Sequence, residues 1–134
     1  LGLSEAIREV ADQYRRQNPD LEFELELNEG LNRFDEELNI TVYRVVQECL
    51  TNVVKHAEAS HVLVKVSLQQ PENKPESLEI LVTDDGRGLS PEFSEGRRFG
   101  LLGMKERVQA FGGEVRVESG PDQGTSIAAT LPVA

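Results

Sequence analysis

The chain has 134 residues, of which 38% are hydrophobic and 28% are charged. This length and composition predict one soluble globular domain with a single core, and leave too little chain for a second domain. No apolar run approaches the roughly 20 residues of a membrane-spanning helix, and the first residues lack the basic segment and cleavage pattern of a signal peptide. We therefore expect residues 1–134 to form a single domain that begins as an internal piece of a longer chain.

The charge of the chain narrows the range of partners. With 14 basic and 24 acidic residues the formal net charge is −10, which repels nucleic acids and anionic membrane surfaces. An anionic ligand would therefore need local help from a metal ion or from a few cations. The single cysteine, Cys49, excludes an intrachain disulfide and is expected to be buried and inert, which suits a reducing cytoplasm.

The first part of the chain predicts a helix, a strand and a second helix. Apolar residues recur at helical spacing from Leu3 to Tyr14, and this helix should end near Asn18-Pro19 because the residue before proline disfavours helix. Residues 21–27 alternate leucine or phenylalanine with glutamate, which predicts a strand with one buried face. Asp35 can cap a second helix that should run to about Ala59.

Two further strands are predicted in the middle of the chain. Valines and a leucine alternate with polar residues from Val62 to Leu68, and a second apolar run extends from Leu78 to Val82. The segment between them, Pro71 to Pro75, has the composition of a loop.

The last part of the chain predicts a loop, a helix and a hairpin. Leu89 to Phe99 is loop-like, and a third helix should span Leu101 to Phe111 and stop at Gly112-Gly113. A closing hairpin then turns at residues 121–124. The order of elements predicts an α+β fold, a two-layer sandwich with three helices on one face of a mixed, mostly antiparallel sheet.

The second helix carries a polar stripe. Glu48, Asn52 and His56 recur every four residues and border the apolar stripe, so they should face the rim of a cleft. Carboxylate and amide oxygens are ligands that suit Mg²⁺. A solvated helix face would show the same spacing.

Three glycine-containing segments accompany this stripe. Asp84-x-Gly86-x-Gly88 follows an apolar strand, and a carboxylate there can accept a hydrogen bond from the exocyclic amine of adenine. Gly100 to Met104 enters the third helix, where free backbone N–H groups can bind phosphate. Gly124-Thr125 opens the last strand, where the hydroxyl could join Asp84 at the base. Each segment alone is also explained by a turn or by a helix start.

As a set, these four segments resemble the N, G1, G2 and G3 boxes of the histidine kinase ATP-binding domain, which belongs to the gyrase, Hsp90, histidine kinase and MutL superfamily. Their order and spacing cover residues from about 40 to 131. Residues 43–57 and 100–108, followed by Gly112-Gly113, most resemble the nitrate-sensor-like and DesK-like sensor kinases.

The resemblance implies a Bergerat fold with ATP between the second helix and a mobile lid, Leu89 to Phe99. Asn52 would hold Mg²⁺, Glu48 would hold or orient a Mg²⁺-bound water, and both would be catalytic. Asp84 would read the adenine amine. Lys55, Arg97 and Arg98 are candidates for phosphate contact, and as surface cations they could equally be solvated. The other implied cofactor contacts are His56, Gly86, Gly88, Gly100, Leu101, Gly103, Met104, Gly124 and Thr125.

The resemblance also implies transfer of the γ-phosphoryl group to a histidine on the separate dimerisation domain of a two-component sensor kinase, for relay to a response regulator. Neither His56 nor His61 has the setting of that acceptor, and His61 is expected to be structural. We therefore expect a catalytic domain without its phosphoacceptor and sensor domains. It would be cytoplasmic, either free or as the cytoplasmic portion of a membrane-bound sensor, and would itself touch neither nucleic acid nor membrane.

Three alternatives remain, two enzymes of the same superfamily and one regulatory module that is not an enzyme. A serine-kinase anti-sigma factor would phosphorylate a small protein, but the stretch Gly100 to Arg107 argues against it. A gyrase-like ATPase would need a longer lid and additional elements. A nucleotide-binding module that has lost catalysis is disfavoured because Glu48, Asn52 and Asp84 are all present.

Overall fold

The computed structural model describes residues 2–28, 30–31, 34–70, 72–86, 95–119 and 124–133. For residues 56–57 and 95–100 the backbone alone is described. The helices and strands are α1 (Leu3–Gln17), β1 (Glu22–Leu27), α2 (Glu36–Asn52), β2 (His61–Gln69), β3 (Ser77–Asp84), α3 (Glu95–Ala110), β4 (Glu114–Ser119) and β5 (Thr125–Pro132), with a π-helical turn, Val53–Ala57, between α2 and β2.

The five strands form one mixed sheet in the order β1-β2-β3-β5-β4. Strand β1 pairs in parallel with β2, while the other three pairings are antiparallel. Because α2 must cross from β1 to β2, it lies over the sheet, and it packs against α1, α3 and β3. The predicted two-layer sandwich of three helices on a mixed, mostly antiparallel sheet is confirmed.

Local chemistry explains where α2 begins and where α1 ends. Asp35 caps α2 by accepting a hydrogen bond from the Leu38 backbone N–H at 2.9 Å, which satisfies one donor that the helix leaves free. Two glutamates in the first turn of α2 complement the positive end of its dipole. Helix α1 ends at Gln17, as the following Asn18-Pro19 predicts.

The core lies between α2 and the sheet. Helix α2 contributes Val42, Val45, Val46 and Cys49, all fully buried, and the inward positions of β2 and β3 are aliphatic up to Val82. Each fully buried side chain of this kind is worth about 1.5–3 kcal/mol of transfer free energy. The predicted burial of Cys49 is confirmed, and burial raises the pKa of its thiol to about 12.

The third helix begins earlier than the sequence predicts. The predicted start was Leu101, but α3 begins at Glu95, so residues 95–99 are helical rather than part of a loop. A glutamate at the amino end suits the helix dipole, and arginine, leucine, methionine and lysine favour helix. Gly100 and Gly103 each cost about 1 kcal/mol inside a helix without ending it. The first part of the predicted lid, residues 89–94, lies outside the described residues.

The second helix also differs from the prediction at its end. The α-helix stops at Asn52 and continues as the π-helical turn to Ala57, rather than running as a regular helix to Ala59. Glu58 then takes a left-handed conformation with φ of 52°, which ends the turn. A π-helical turn has more residues per turn than an α-helix, so the regular helical spacing of the predicted stripe applies to Glu48 and Asn52 within α2. The side chain of His56 lies outside the described parts of the chain.

Two glycines around α3 should respond to substitution in opposite directions. A Cβ on Gly113 would collide with the carbonyl oxygen of Thr130, whereas a Cβ on Gly103 would meet no atom within 4 Å. Gly113→Ala should lower the free energy of unfolding by about 1–3 kcal/mol, and Gly103→Ala should raise it by about 1 kcal/mol. Urea unfolding followed by circular dichroism measures both changes, and equal stability of the two variants would contradict this packing.

Candidate functional site

The carboxyl end of β3 places a carboxylate at the edge of the core. Along β3 every second residue is buried, and the series Leu78, Ile80, Val82 ends with Asp84, which is 6% exposed. The Asp84 Oδ1 accepts a hydrogen bond from the backbone N–H of Gly86 at 2.9 Å. This bond closes a tight turn directly after the strand and satisfies part of the buried carboxylate.

The start of β5 completes this part of the site. Thr125 is the register partner of Asp84 and is 3% exposed. The preceding Gly124 has φ of 73°, and a Cβ there would collide with the Asp84 carbonyl oxygen, so only glycine fits. The structure therefore brings together the predicted residues Asp84, Gly86, Gly124 and Thr125.

Ser119, at the end of β4, contacts the start of β5 and was not among the residues predicted from the sequence. Its hydroxyl donates to the Gly124 carbonyl oxygen at 2.9 Å and lies 3.0 Å from the Thr125 hydroxyl. Ser119 and Thr125 are opposite each other in the closing hairpin. The signal that identifies Ser119 is the register of this hairpin, which the sequence pattern did not give.

Asn52, the last residue of α2, is a second buried polar group. It is 3% exposed, and its Nδ2 has no hydrogen-bond partner among the described residues. Leaving such a group unpaired costs about 1–3 kcal/mol, and buried polar groups without partners are uncommon. An unpaired side-chain amide at this position suits a ligand that supplies the missing bond.

Chain connectivity places Asn52 and Asp84 at the same end of the sandwich. Residues 53–60 lead from α2 directly into β2, and the second residue of β2, Val62, is the register partner of Asp84. The end of α2 and the end of β3 therefore share one edge of the fold. Lys55 is exposed on the π-helical turn at this edge, where the described backbone of His56 also lies.

Helix α3 runs alongside this edge. The Cys49 thiol donates to the sulfur of Met104 at 3.5 Å, which sets the middle of α3 beside the last turn of α2. Met104 is 1% exposed and Leu101 is 9% exposed, so both pack into the core, while Gly103 is exposed. The predicted helix entry at Gly100–Met104 lies inside α3, whose described part begins at Glu95.

Glu48 lies one turn before Asn52 on α2. It is partly buried and lines a groove of about 540 Å³ together with Tyr43, Arg44 and Arg107. Among the described residues no cluster of three or more histidine, cysteine or acidic side chains could hold a metal ion. Mg²⁺ needs no such cluster, because it keeps several waters and takes one or two protein ligands plus phosphate oxygens. Gly88 and the side chains of Arg97 and Arg98 lie outside the described parts of the chain.

A network of hydrogen bonds on the surface next to Asp84 was also not predicted from the sequence. The Asp85 carboxylate accepts from the backbone N–H groups of Ser60 and His61 at 2.7 and 2.9 Å, and contacts the His61 Nδ1 at 3.1 Å. The other ring nitrogen of His61 lies 2.7 Å from the Glu22 carboxylate. The hydrogen bond with Asp85 and then the charge of Glu22 raise the pKa of His61, and the backbone N–H of His61 lowers the pKa of Asp85.

Solved structures share this fold. A blue-light activated histidine kinase from Erythrobacter litoralis EL346 superimposes with a TM-score of 0.81 over 99% of this chain and 42% of that chain, at 23% identity. The mycobacterial sensor histidine kinase MprB superimposes with a TM-score of 0.69 over 99% of this chain and 97% of the other, at 25% identity. In the described parts of the present chain, no helix is long and apolar enough to cross a membrane.

Curated relatives are sensor histidine kinases. The oxygen sensor histidine kinase NreB of Staphylococcus carnosus (strain TM300) is 35% identical over 99% of this chain and 37% of its own length. The histidine-protein kinase/phosphatase DegS of Brevibacillus brevis is 38% identical over 75% of this chain and 25% of its own length. The chain thus spans between 25% and 37% of the length of these two relatives.

A family model matches most of the chain. It is described as "Histidine kinase-, DNA gyrase B-, and HSP90-like ATPase" and matches residues 37–134, which include α2, the π-helical turn, β2, β3, α3 and the closing hairpin. This range contains Asn52, Asp84 and Thr125. The chain belongs to the histidine kinase-, DNA gyrase B- and HSP90-like ATPase family, and its relatives are sensor histidine kinases.

Proposed function

We propose that this domain binds Mg-ATP and transfers the γ-phosphoryl group to a histidine on the dimerisation domain of a two-component sensor kinase, for relay to a response regulator. Membership of an ATPase family supports ATP as the nucleotide. The observation that carries the proposal is the buried Asp84 carboxylate beside Thr125, at the same edge of the fold as the unpaired Asn52 amide. Residues 1–134 would then be the catalytic domain of that kinase, in the cytoplasm.

Asp84 would select the base. An ionised carboxylate only accepts hydrogen bonds, so it pairs with the exocyclic amine of adenine and is mismatched to the carbonyl oxygen of guanine. The Gly86 N–H and the approach of Gly124 hold Asp84 in one place, which makes the pairing directional. A site built around a buried hydrogen bond strongly rejects the partner that cannot form it.

Asn52 and Glu48 would hold the metal. A half-turn about the last side-chain bond exchanges Oδ1 and Nδ2, so the unpaired Asn52 amide can present an oxygen to a cation. Glu48, one helical turn earlier, can bind or orient a water of the cation. The ion would supply charge neutralisation for the phosphates, which a chain of net charge −10 otherwise repels.

The phosphates would point towards α3. The amino end of a helix carries free N–H groups and a positive dipole, both of which favour phosphate. The backbone of Arg97 and Arg98 lies in α3, and Lys55 is exposed on the π-helical turn after α2, so these three residues are the candidates for phosphate contact. Catalysis would consist mainly of positioning the γ-phosphoryl group and neutralising its charge.

The acceptor histidine would come from another domain. His61 is held between Asp85 and Glu22 on the sheet, so its ring nitrogens are engaged and are not free to attack a phosphoryl group. This supports a division of labour between the nucleotide-binding domain and a separate helical domain. The sensor kinase names of the relatives favour this reading over an anti-sigma factor kinase.

The first test concerns base selectivity. The parent chain should bind the non-hydrolysable analogue of ATP and not that of GTP in calorimetric titration. Asp84→Asn should weaken ATP analogue binding by about tenfold, because a neutral amide oxygen replaces the charged acceptor and its hydrogen bonds are roughly half as strong. Asp12→Asn, a surface aspartate paired with Arg15 on α1, is the matched control. Equal affinity of the parent for the two analogues would refute the assignment of Asp84.

The second test concerns the metal. In Asn52→Ala the affinity for the ATP analogue should become insensitive to Mg²⁺, because a cation ligand is missing. Asn39→Ala removes the same side chain from the first turns of the same helix and should leave the Mg²⁺ dependence intact. The measurement is calorimetric titration at several Mg²⁺ concentrations. A parent-like rise of affinity with Mg²⁺ in Asn52→Ala would show that Asn52 is not a ligand.

The third test concerns the acceptor. With labelled ATP and Mg²⁺ the isolated chain should incorporate no stable phosphate, because the acceptor nitrogen must lie in line with the γ-phosphate. Supplying the helical phosphoacceptor domain in trans should give acid-labile label on that domain, and Asp84→Asn should reduce this label at sub-saturating ATP because it binds the nucleotide more weakly. Acid-labile label on His56 or His61 of the isolated chain would overturn the proposal.

A further inference from the structure

Asp85 connects the end of β3 to the start of β2. Its carboxylate accepts from two consecutive backbone N–H groups, those of Ser60 and His61, and its own N–H donates to the His61 carbonyl oxygen at 3.3 Å. Three hydrogen bonds therefore tie this one residue to the beginning of the neighbouring strand. Such multiple acceptance by a carboxylate is among the stronger protein hydrogen-bond arrangements.

This connection bears directly on Asp84. Asp85 lies between Asp84 and Gly86, the two residues whose hydrogen bond forms the turn after β3. Consecutive Cα atoms are about 3.8 Å apart and joined by planar peptide bonds. A displacement of the Asp85 backbone therefore changes the turn in which the Asp84 carboxylate accepts from Gly86.

His61 braces Asp85 from the other side, and its contacts define its protonation state. Its Nδ1 faces Asp85 and its Nε2 faces Glu22, and both partners are carboxylates that only accept. A neutral imidazole has one N–H, so both contacts are hydrogen bonds only when His61 is protonated. Other charged groups nearby are Glu24 and Lys65, further along the same exposed face of β1 and β2, and Glu58, on the connection before β2.

We propose that Asp85 is a positioning residue for base recognition, whose carboxylate, braced by protonated His61 and by Glu22, holds the Asp84–Gly86 turn in the geometry that accepts the base amine. The proposal rests on the proposed function, because it concerns how the same site reads its nucleotide. It also predicts that base discrimination depends on the protonation of His61, a residue that does not contact the nucleotide.

The direction of the pH dependence follows from the pKa of His61. Contact with Asp85 raises this pKa in the folded chain above its ordinary value. The brace is therefore complete below the ordinary histidine pKa and is lost as the pH rises through the raised value. Discrimination in favour of the base amine should accordingly fall with rising pH in that window.

The first arm of the test compares two nucleotides by calorimetry. ADP carries the exocyclic amine, whereas purine riboside diphosphate lacks it and is otherwise the same ligand. Asp85→Ala should weaken ADP binding about tenfold, by loss of a well-placed hydrogen bond to a charged group, and should change binding of the analogue much less. Asp85→Asn keeps an acceptor for the backbone N–H groups but cannot accept on both sides, so it should retain discrimination and lose its pH dependence.

The second arm uses a matched pair on β1. Glu22→Gln and Glu24→Gln remove the same charge from the same exposed strand face, but only Glu22 contacts His61. The discrimination ratio is measured from about pH 5.5 to about pH 8.5, on both sides of the ordinary histidine pKa, and the His61 ring is titrated by NMR. Glu22→Gln should move both midpoints to lower pH together, and Glu24→Gln should move neither appreciably.

The outcomes separate this inference from the proposed function. Equal weakening of both nucleotides in Asp85→Ala would mean a purely structural contact and would overturn the inference, while ADP binding by the parent leaves the function standing. A discrimination ratio in the parent that is constant across the titration of His61 would also overturn it. Failure of the parent to bind ADP would remove the proposed function and the inference with it.

Discussion

The two-residue alternation of β3 determines where the site lies. Its inward positions hold Leu78, Ile80 and Val82, which fix the strand in the core, and the next inward position is Asp84. The same pleat that buries aliphatic side chains therefore carries a carboxylate to the edge of the core. Burial would penalise that carboxylate if it were not hydrogen bonded, and the turn to Gly86 supplies a donor. The apolar strand thus determines the position and the rigidity of the Asp84 carboxylate. Gly124 allows β5 to begin close to Asp84.

Helix α2 likewise ends a buried apolar face with a polar residue, on the other side of the candidate site. Its buried face contributes Val45, Val46 and Cys49 to the core, and its last residue, Asn52, is buried with an unpaired Nδ2 among the described residues. Directly afterwards the backbone changes to a π-helical turn. Such turns cost hydrogen-bond geometry and are frequent at functional sites, and an unpaired buried amide also costs stability. Two unfavourable local features in consecutive positions are consistent with selection for ligand binding rather than for stability alone.

Local periodicity accounts for what the sequence could predict. Alternation and helical spacing act over a few residues, so they were sufficient to predict α1 and the five strands. The grouping of Asp84 with the Gly124-Thr125 segment rested instead on the chemistry expected of a nucleotide pocket. The start of α3 could not be predicted, because Glu95 to Gly100 has no apolar periodicity to indicate a helix. The end of α2 was missed because one π-helical turn leaves no signature in spacing. The Asp85, His61 and Glu22 network joins three separate segments that meet only through the register of β1, β2 and β3.

The distribution of charge explains how an acidic domain can accept an anionic ligand. At the end of β3 the described side chains are acceptors and acids, with Asp84 buried and Asp85 exposed, which suits the amine-bearing edge of a base. The amino end of a helix such as α3 carries a positive dipole, and Lys55 is exposed on the π-helical turn after α2, and both features suit phosphate. A nucleotide has the same asymmetry, with donors on adenine and negative charge on its phosphates. In the proposed complex the base would therefore lie towards β3 and the phosphates towards the helices. Because the net charge of −10 still opposes the phosphates, a divalent cation beside Asn52 would complete the electrostatic match that the protein's own cations begin.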